Sequence, residues 1–138
     1  MHVFVVEDYA LLRRGIVSRL KAIEQIEIVG EAEKETEALS KIRSAPPDLV
    51  LLDLSLADGG SGFCVLRELG LTGFGGKVVI VSSEHAAAKV CMQAGADGFY
   101  DKASGLELLF EDLADFVNLQ QRVDSPVAWP HRQALGGS

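Results

Sequence analysis

The sequence predicts an α/β domain built on a doubly wound parallel sheet. Three observations carry that expectation: short runs rich in valine, isoleucine and leucine recur at roughly even spacing, each is followed by a stretch of helical periodicity, and 138 residues suit one core. Near-continuous apolar runs suit strands buried on both faces, and helices between them suit parallel connections. Composition agrees, since 48% hydrophobic residues against 24% charged supply enough apolar surface to offset the entropy of ordering. A formal net charge of -7 and a pI near 4.9 leave no broad basic surface. General binding to nucleic acid or an anionic membrane is therefore disfavoured, and a metal cation or a basic protein partner fits better.

Five strands are predicted, at His2 to Glu7, Glu27 to Glu31, Asp48 to Asp53, Lys77 to Ser82 and Ala96 to Tyr100. Their interior should be Val3, Val5, Val50, Leu51, Leu52, Val79, Ile80 and Val81. The first helix repeats apolar residues at Leu12, Ile16, Leu20 and Ile23, with Arg13, Arg14, Arg19 and Lys21 elsewhere on its wheel. Thr36 to Ser44 is the second, stopped by Pro46-Pro47, which cannot continue the hydrogen-bond ladder. A glycine-rich loop, Asp58-Gly59-Gly60-Ser61-Gly62, leads into a third helix ending near Leu69, and Glu84 to Gln93 is a small alanine-rich fourth. The last helix starts near Ser104 as N-cap, with Glu107 three residues on, and shows Leu106, Leu109, Phe110, Leu113, Phe116 and Val117 at helical spacing. Residues 1–122 form one domain on this reading. Residues 123–138, with prolines at 126 and 130, read as a flexible tail with no room for an output domain, the alternatives for its single tryptophan, Trp129, being an anchor for a partner or a fold back onto the domain.

Cys64 and Cys91 lack the paired spacing of a zinc or redox site and are read as free thiols. The start has no basic region before its apolar run, and no run is long enough to span a bilayer, so the expected compartment is the cytoplasm. His2, His85 and His131 show no ligand spacing, and none is placed beside another candidate base.

Ligands of open α/β sheets bind beyond the carboxyl ends of the strands, where strand order reverses. There the sequence supplies Glu7-Asp8, Asp53, Ser82-Ser83 and Asp101-Lys102. Clustered carboxylates repel, which raises a pKa or demands a cation, and an oxygen-only set suits magnesium. An aspartate can attack a phosphoryl donor to form an acyl phosphate, with a lysine and the metal neutralising the transferring charge. Taken singly the residues are ambiguous: Asp8 could cap the first helix, Lys102 be a solvated lysine, Ser82 a turn residue and Phe99 a core aromatic.

Taken together, Val5-Val6-Glu7-Asp8, Leu51-Leu52-Asp53, Val81-Ser82-Ser83-Glu84 and Ala94-Gly95-Ala96-Asp97-Gly98-Phe99 followed by Lys102 resemble, in order and spacing, the response-regulator receiver family of two-component signalling. The resemblance covers about residues 1–122. It implies a flavodoxin-like (β/α)5 fold with strand order 2-1-3-4-5. It further implies Asp53 as phosphoacceptor, with Lys102 and Ser82 on the phosphoryl group. Magnesium would be held by Asp8, Asp53 and the backbone carbonyl of Ser55, with Glu7 acting through water, and Ser82 and Phe99 would be coupled switch residues. The implied partners are a histidine kinase or phosphotransfer protein and an unknown downstream protein, with a homodimer through the fourth helix, fifth strand and fifth helix as an option. Such a chain is not an enzyme on external substrates, beyond its own phosphorylation and slow autodephosphorylation.

The sequence also departs from the family. Ala103 follows Lys102 where members often have a proline in a cis bond, and a non-proline cis bond costs roughly 2.5–4 kcal/mol, so a trans bond and a different placement of Lys102 are expected. Phe99 stands where tyrosine is common, and the loop after Asp53 is longer, without the usual proline. These departures motivate an alternative, a pseudo-receiver that binds proteins independently of phosphate. A phosphatase of the aspartate-nucleophile kind is a further reading; it wants a second acid two residues after the nucleophile, where Ser55 stands.

Overall fold

In the computed structural model, which describes residues 1–130 and the backbone of 133–134, the apolar runs form strands where the sequence places them. They are β1 (His2–Val6), β2 (Glu27–Ala32), β3 (Leu49–Leu52), β4 (Lys77–Ser82) and β5 (Gly98–Asp101), all parallel in the predicted order β2-β1-β3-β4-β5. The helices are α1 (Ala10–Lys21), α2 (Glu35–Ser44), α3 (Gly62–Leu71), α4 (Ala88–Gln93) and α5 (Leu106–Arg122).

Strand residues alternate between faces, and each face meets its own helices. Phe4, Val6, Val50, Leu52, Ile80 and Phe99 pack against α2, α3 and α4 through Ala38, Ile42, Val65, Leu69 and Cys91. Val3, Val5, Leu49, Leu51, Val79, Val81 and Tyr100 pack against α1 and α5 through Ile16, Leu20, Leu109, Leu113 and Phe116. All eight predicted interior residues are buried. Because β1 has β2 on one side and β3 on the other, strand order reverses there, and the carboxyl ends of β1 and β3 flank a crevice.

Local details differ from the sequence reading. A 3-10 turn, His85–Ala87, precedes α4, so Glu84 lies outside the helix. The residue capping α5 is Gly105, without a side-chain cap, and the Ser104 hydroxyl donates to Asp101 at 2.6 Å instead. A nearby carboxylate has outcompeted the helix end for that hydroxyl.

A short sixth strand, β6 (Gln133–Ala134), also lies parallel against β5, beyond the five predicted. The described part of the segment read as a tail is packed: Trp129 is 7% exposed, its indole N–H donates to the Tyr100 hydroxyl at 2.7 Å, and its ring lies 5.1 Å from that of Phe116. Gln120 holds the approach, donating to the Ser125 carbonyl and accepting from the Val127 amide, both at 3.1 Å. Gly98 makes room, since a Cβ there would sit 2.9 Å from the indole nitrogen. Beneath the indole, the Tyr100 hydroxyl donates to Asp112 at 2.5 Å, and burial, with Asp112 beside it, pushes the phenol's pKa up. Val127 and Trp129, between prolines, carry no periodicity, so the sequence favoured a disordered tail over Trp129 folding back onto the domain, and it is the fold-back that the structure shows. Replacing Trp129 by alanine should lower stability by about 3 kcal/mol, by loss of buried aromatic area and the cavity left behind, as read from urea unfolding followed by circular dichroism. A loss under a few tenths of a kcal/mol would mean that the segment is not docked in solution.

Candidate functional site at the carboxyl ends of the strands

The parallel sheet delivers the chemistry-bearing residues to one rim. Glu7 directly follows β1, and its backbone N–H donates to the Ala32 carbonyl at 3.0 Å. Asp53 directly follows β3, and its N–H donates to the Val6 carbonyl at 3.0 Å. Both carboxylates are buried, at 2% and 4% exposure, while Asp8 beside them is exposed. One oxygen from each of Glu7, Asp8 and Asp53 falls within 4.8 Å of the others, an oxygen-only arrangement suited to a hard divalent cation.

Lys102, after β5, reaches into this cluster: its Nζ lies 2.9 Å from Glu7 Oε1 and 3.0 Å from Asp53 Oδ2. It does so with the trans peptide before Ala103 that the sequence predicts. The remaining carboxylate oxygens are also used. Glu7 Oε2 accepts from the Tyr9 amide at 3.0 Å, and Asp53 Oδ1 from the Leu54 amide at 2.8 Å. Asp8 does not cap α1, whose N-cap is Tyr9 without a side-chain bond.

Burial pushes the Glu7 carboxyl up to about 7; the Tyr9 amide and Lys102 oppose the rise, and the Asp53 charge adds to it. For Lys102, burial disfavours the ammonium, but the bonds to Glu7 and Asp53 outweigh it and the net shift is upward. The site thus holds two buried carboxylates against one cation.

The other predicted residues fall around this centre. Ser82, buried at the end of β4, accepts from the Glu84 amide at 3.0 Å. Ser55, expected to act through its carbonyl, shows an exposed hydroxyl that donates to Glu84 at 3.2 Å, linking the loops after β3 and β4. Phe99 is fully buried on the α4 side of the sheet, among Ile80, Ala88 and Cys91. The arginines of α1 are partly engaged within the domain: Arg13 binds the Glu7 carbonyl at 2.6 Å, and Arg19 pairs with Glu107 at 2.7 Å. Arg14 is exposed.

Two features escaped the sequence reading. Gly62 in the first turn of α3 abuts the acceptor strand so closely that a Cβ would lie 1.9 Å from the Asp53 carbonyl oxygen. The glycine-rich loop was visible, but this close approach needs the fold. His85, read as having no neighbouring base, pairs with Asp101 across two loops. His131 lies outside the described residues.

Fold and site together define an α/β domain with an acidic, lysine-bridged centre at the switch point of a parallel sheet. The model of the response regulator receiver domain family matches residues 3–114, and the chain belongs to that family, whose members serve two-component systems. It is 33% identical over 128 residues to the response regulator GacA of Pseudomonas aeruginosa, covering 91% of this chain and 59% of GacA. It is 36% identical over 116 residues to protein-glutamate methylesterase/protein-glutamine glutaminase 5 of Myxococcus xanthus, covering 80% of this chain and 33% of that protein. The signal receiver domain of NarL from Mycobacterium tuberculosis superposes with a TM-score of 0.75 at 29% identity, covering 85% of this chain and 95% of that domain. The chain therefore spans little more than half the length of GacA and a third of the methylesterase.

The raised Glu7 carboxyl makes stability pH-dependent. The folded state keeps a proton that the unfolded chain releases near 4.5, so Glu7's contribution worsens as pH rises from 4.5 to about 7 and then levels, by roughly 3 kcal/mol at most. Urea titrations across that window in metal-free buffer should show the decline, and Glu7→Gln should flatten it; an equal slope in the variant would place its origin elsewhere. Gly62→Ala should cost about 1–3 kcal/mol through forced displacement of backbone against the Asp53 carbonyl, again by urea unfolding. Native stability in that variant would contradict the close approach.

Proposed function

We propose that this chain works as a phosphorylation switch, with Asp53 accepting a phosphoryl group from a histidine kinase or phosphotransfer protein. The observation that carries the reading is the Lys102 ammonium held 3.0 Å from Asp53 and 2.9 Å from Glu7, within the acidic cluster completed by Asp8. An Asp53 carboxylate oxygen forms the new bond to phosphorus as the donor's bond to phosphorus breaks, and the donor departs with the electron pair. Lys102, already beside the nucleophile, needs a short movement to neutralise the incoming phosphoryl oxygens. Ser82, at the end of the adjacent strand, supplies a hydroxyl to the same group. Phe99, buried on β5 opposite Ile80, two residues before Ser82 in β4, would follow any movement of Ser82 toward Asp53.

The donor set fits magnesium. Glu7, Asp8, Asp53 and the carbonyl of Ser55 would hold it, directly or through water, and when bound it would supply positive charge to the phosphoryl oxygens. A demand for that charge follows from two buried carboxylates sharing one lysine.

Residues 1–122 constitute the receiver on this reading, acting on itself and not on a released substrate; receiver domains are generally not enzymes. The acidic surface favours output through an as yet unidentified protein over direct contact with nucleic acid. Two free thiols suit a reducing cytoplasm, and among the described residues no helix is long and apolar enough to cross a membrane. A homodimer through α4, β5 and α5 would have to accommodate β6, which occupies the outer edge of β5.

Intact-mass analysis after incubation with acetyl phosphate and magnesium tests the proposal. One phosphoryl group should appear on the native chain, and none on Asp53→Asn or without the metal. If the native chain takes up none even at short times that precede hydrolysis, the pseudo-receiver reading replaces this one.

A further inference from the structure

The loop after β5 carries Lys102, which reaches Asp53, and the side-chain pair of His85 and Asp101 ties the start of this loop to the loop after β4. Ser82 ends β4 and Lys102 follows β5, and the Lys102 amide donates to the Ser82 carbonyl at 3.1 Å. His85, in the 3-10 turn after β4, pairs through Nε2 with Oδ1 of Asp101, the last residue of β5. The other Asp101 oxygen accepts from the Ser104 amide at 2.7 Å, the Ser104 hydroxyl at 2.6 Å and the Ala103 amide at 3.2 Å. Its backbone carbonyl accepts from the Gly105 amide at 2.8 Å. Asp101 is 6% exposed, so these bonds form where water competes little.

Those bonds pin the residues that immediately follow Lys102. Ala103 offers no ring to fix its φ, so the conformation of this turn depends on hydrogen bonds, and the Asp101 carboxylate collects three of them. Asp101 touches none of the carboxylates around Asp53 and is not part of the acidic cluster. It sits where the reach of Lys102 and the position of the Ser82 loop are both set.

We propose that Asp101, clamped by His85, is a positioning residue for phosphoryl transfer at Asp53: it fixes the turn that carries Lys102 and ties that turn to the loop that follows Ser82. The inference deepens the phosphorylation reading and rests on it. Lys102 acts by charge at close range, and a misplacement of about 1 Å can cost on the order of a hundredfold in rate. Loosening the clamp should therefore slow transfer without weakening the metal site.

The test is the initial rate of phosphoryl uptake from acetyl phosphate, followed by intact mass over a magnesium series, for the native chain, Asp101→Ala, Asp101→Asn, His85→Ala and His85→Gln. The maximal rate should fall roughly tenfold or more in Asp101→Ala, in line with a partly misplaced Lys102. Asp101→Asn should fall less, since its amide oxygen can still receive Ser104. His85→Ala should be slowed several-fold, and His85→Gln, which restores a donor to Asp101, should recover most of the rate. The magnesium concentration giving half-maximal rate should stay native throughout, because Glu7, Asp8 and Asp53 are untouched. Native maximal rates in folded Asp101→Ala and His85→Ala would overturn the inference, as would a His85→Ala defect that glutamine does not repair. Should Asp101→Ala fail to fold, the exposed His85 pair of variants decides alone. No uptake by the native chain defeats the phosphorylation reading and this inference together, whereas normal native uptake with indifferent variants removes this inference only.

Discussion

The contact on which this structure turns is the Lys102 ammonium lodged between Glu7 and Asp53. Burying ions is expensive unless each finds a partner, and here two sheltered carboxylates share one. Burial, with the Asp53 charge adding to it, displaces the Glu7 carboxyl upward, and the bonds to both carboxylates hold Lys102 upward. An arrangement left one positive charge short favours whatever brings more, a divalent cation first. The centre is thus poorly neutralised by itself.

The fold was legible because its physics is repetitive. Val3 and Val5 on one face, Phe4 and Val6 on the other, each require a layer of helices, and the apolar runs announced that requirement. The cluster was legible for a related reason: parallel strands all end on one side, so acids directly after β1 and β3 had to meet. What stayed hidden depends on side-chain direction and single contacts. Asp101 beside Lys102 could be listed among polar residues at a strand end, but its grip on Ser104 and His85 depends on where two loops lie relative to each other. Ser104 illustrates the limit from the other side, since its spacing to Glu107 is that of a helix cap while its hydroxyl serves a carboxylate.

Strand β5 brings three regions of the molecule together. Phe99 faces the α4 side, Tyr100 faces α5 and receives the indole of Trp129, and Lys102, directly after the strand, reaches the acidic centre. A shift along this strand would be felt on both faces at once, because close-packed interiors transmit displacement instead of absorbing it. The paired opposite faces of four consecutive residues give the strand a part in packing and in the site alike.

The outer margins of the sheet are finished in two different ways. On one side β2 presents Glu27 and Glu31 at alternating outward positions, and its pairing with β1 carries a register shift between Val3 and Phe4. On the other, β5 is shielded by a partner of two residues, too short to template much of anything. Like charges repel an approaching strand, and a truncated edge gives it few unpaired amides to join. Both devices disfavour strand-to-strand association at the sheet margins, and losing β6 would leave the backbone of Phe99 and Tyr100 unpaired along that edge.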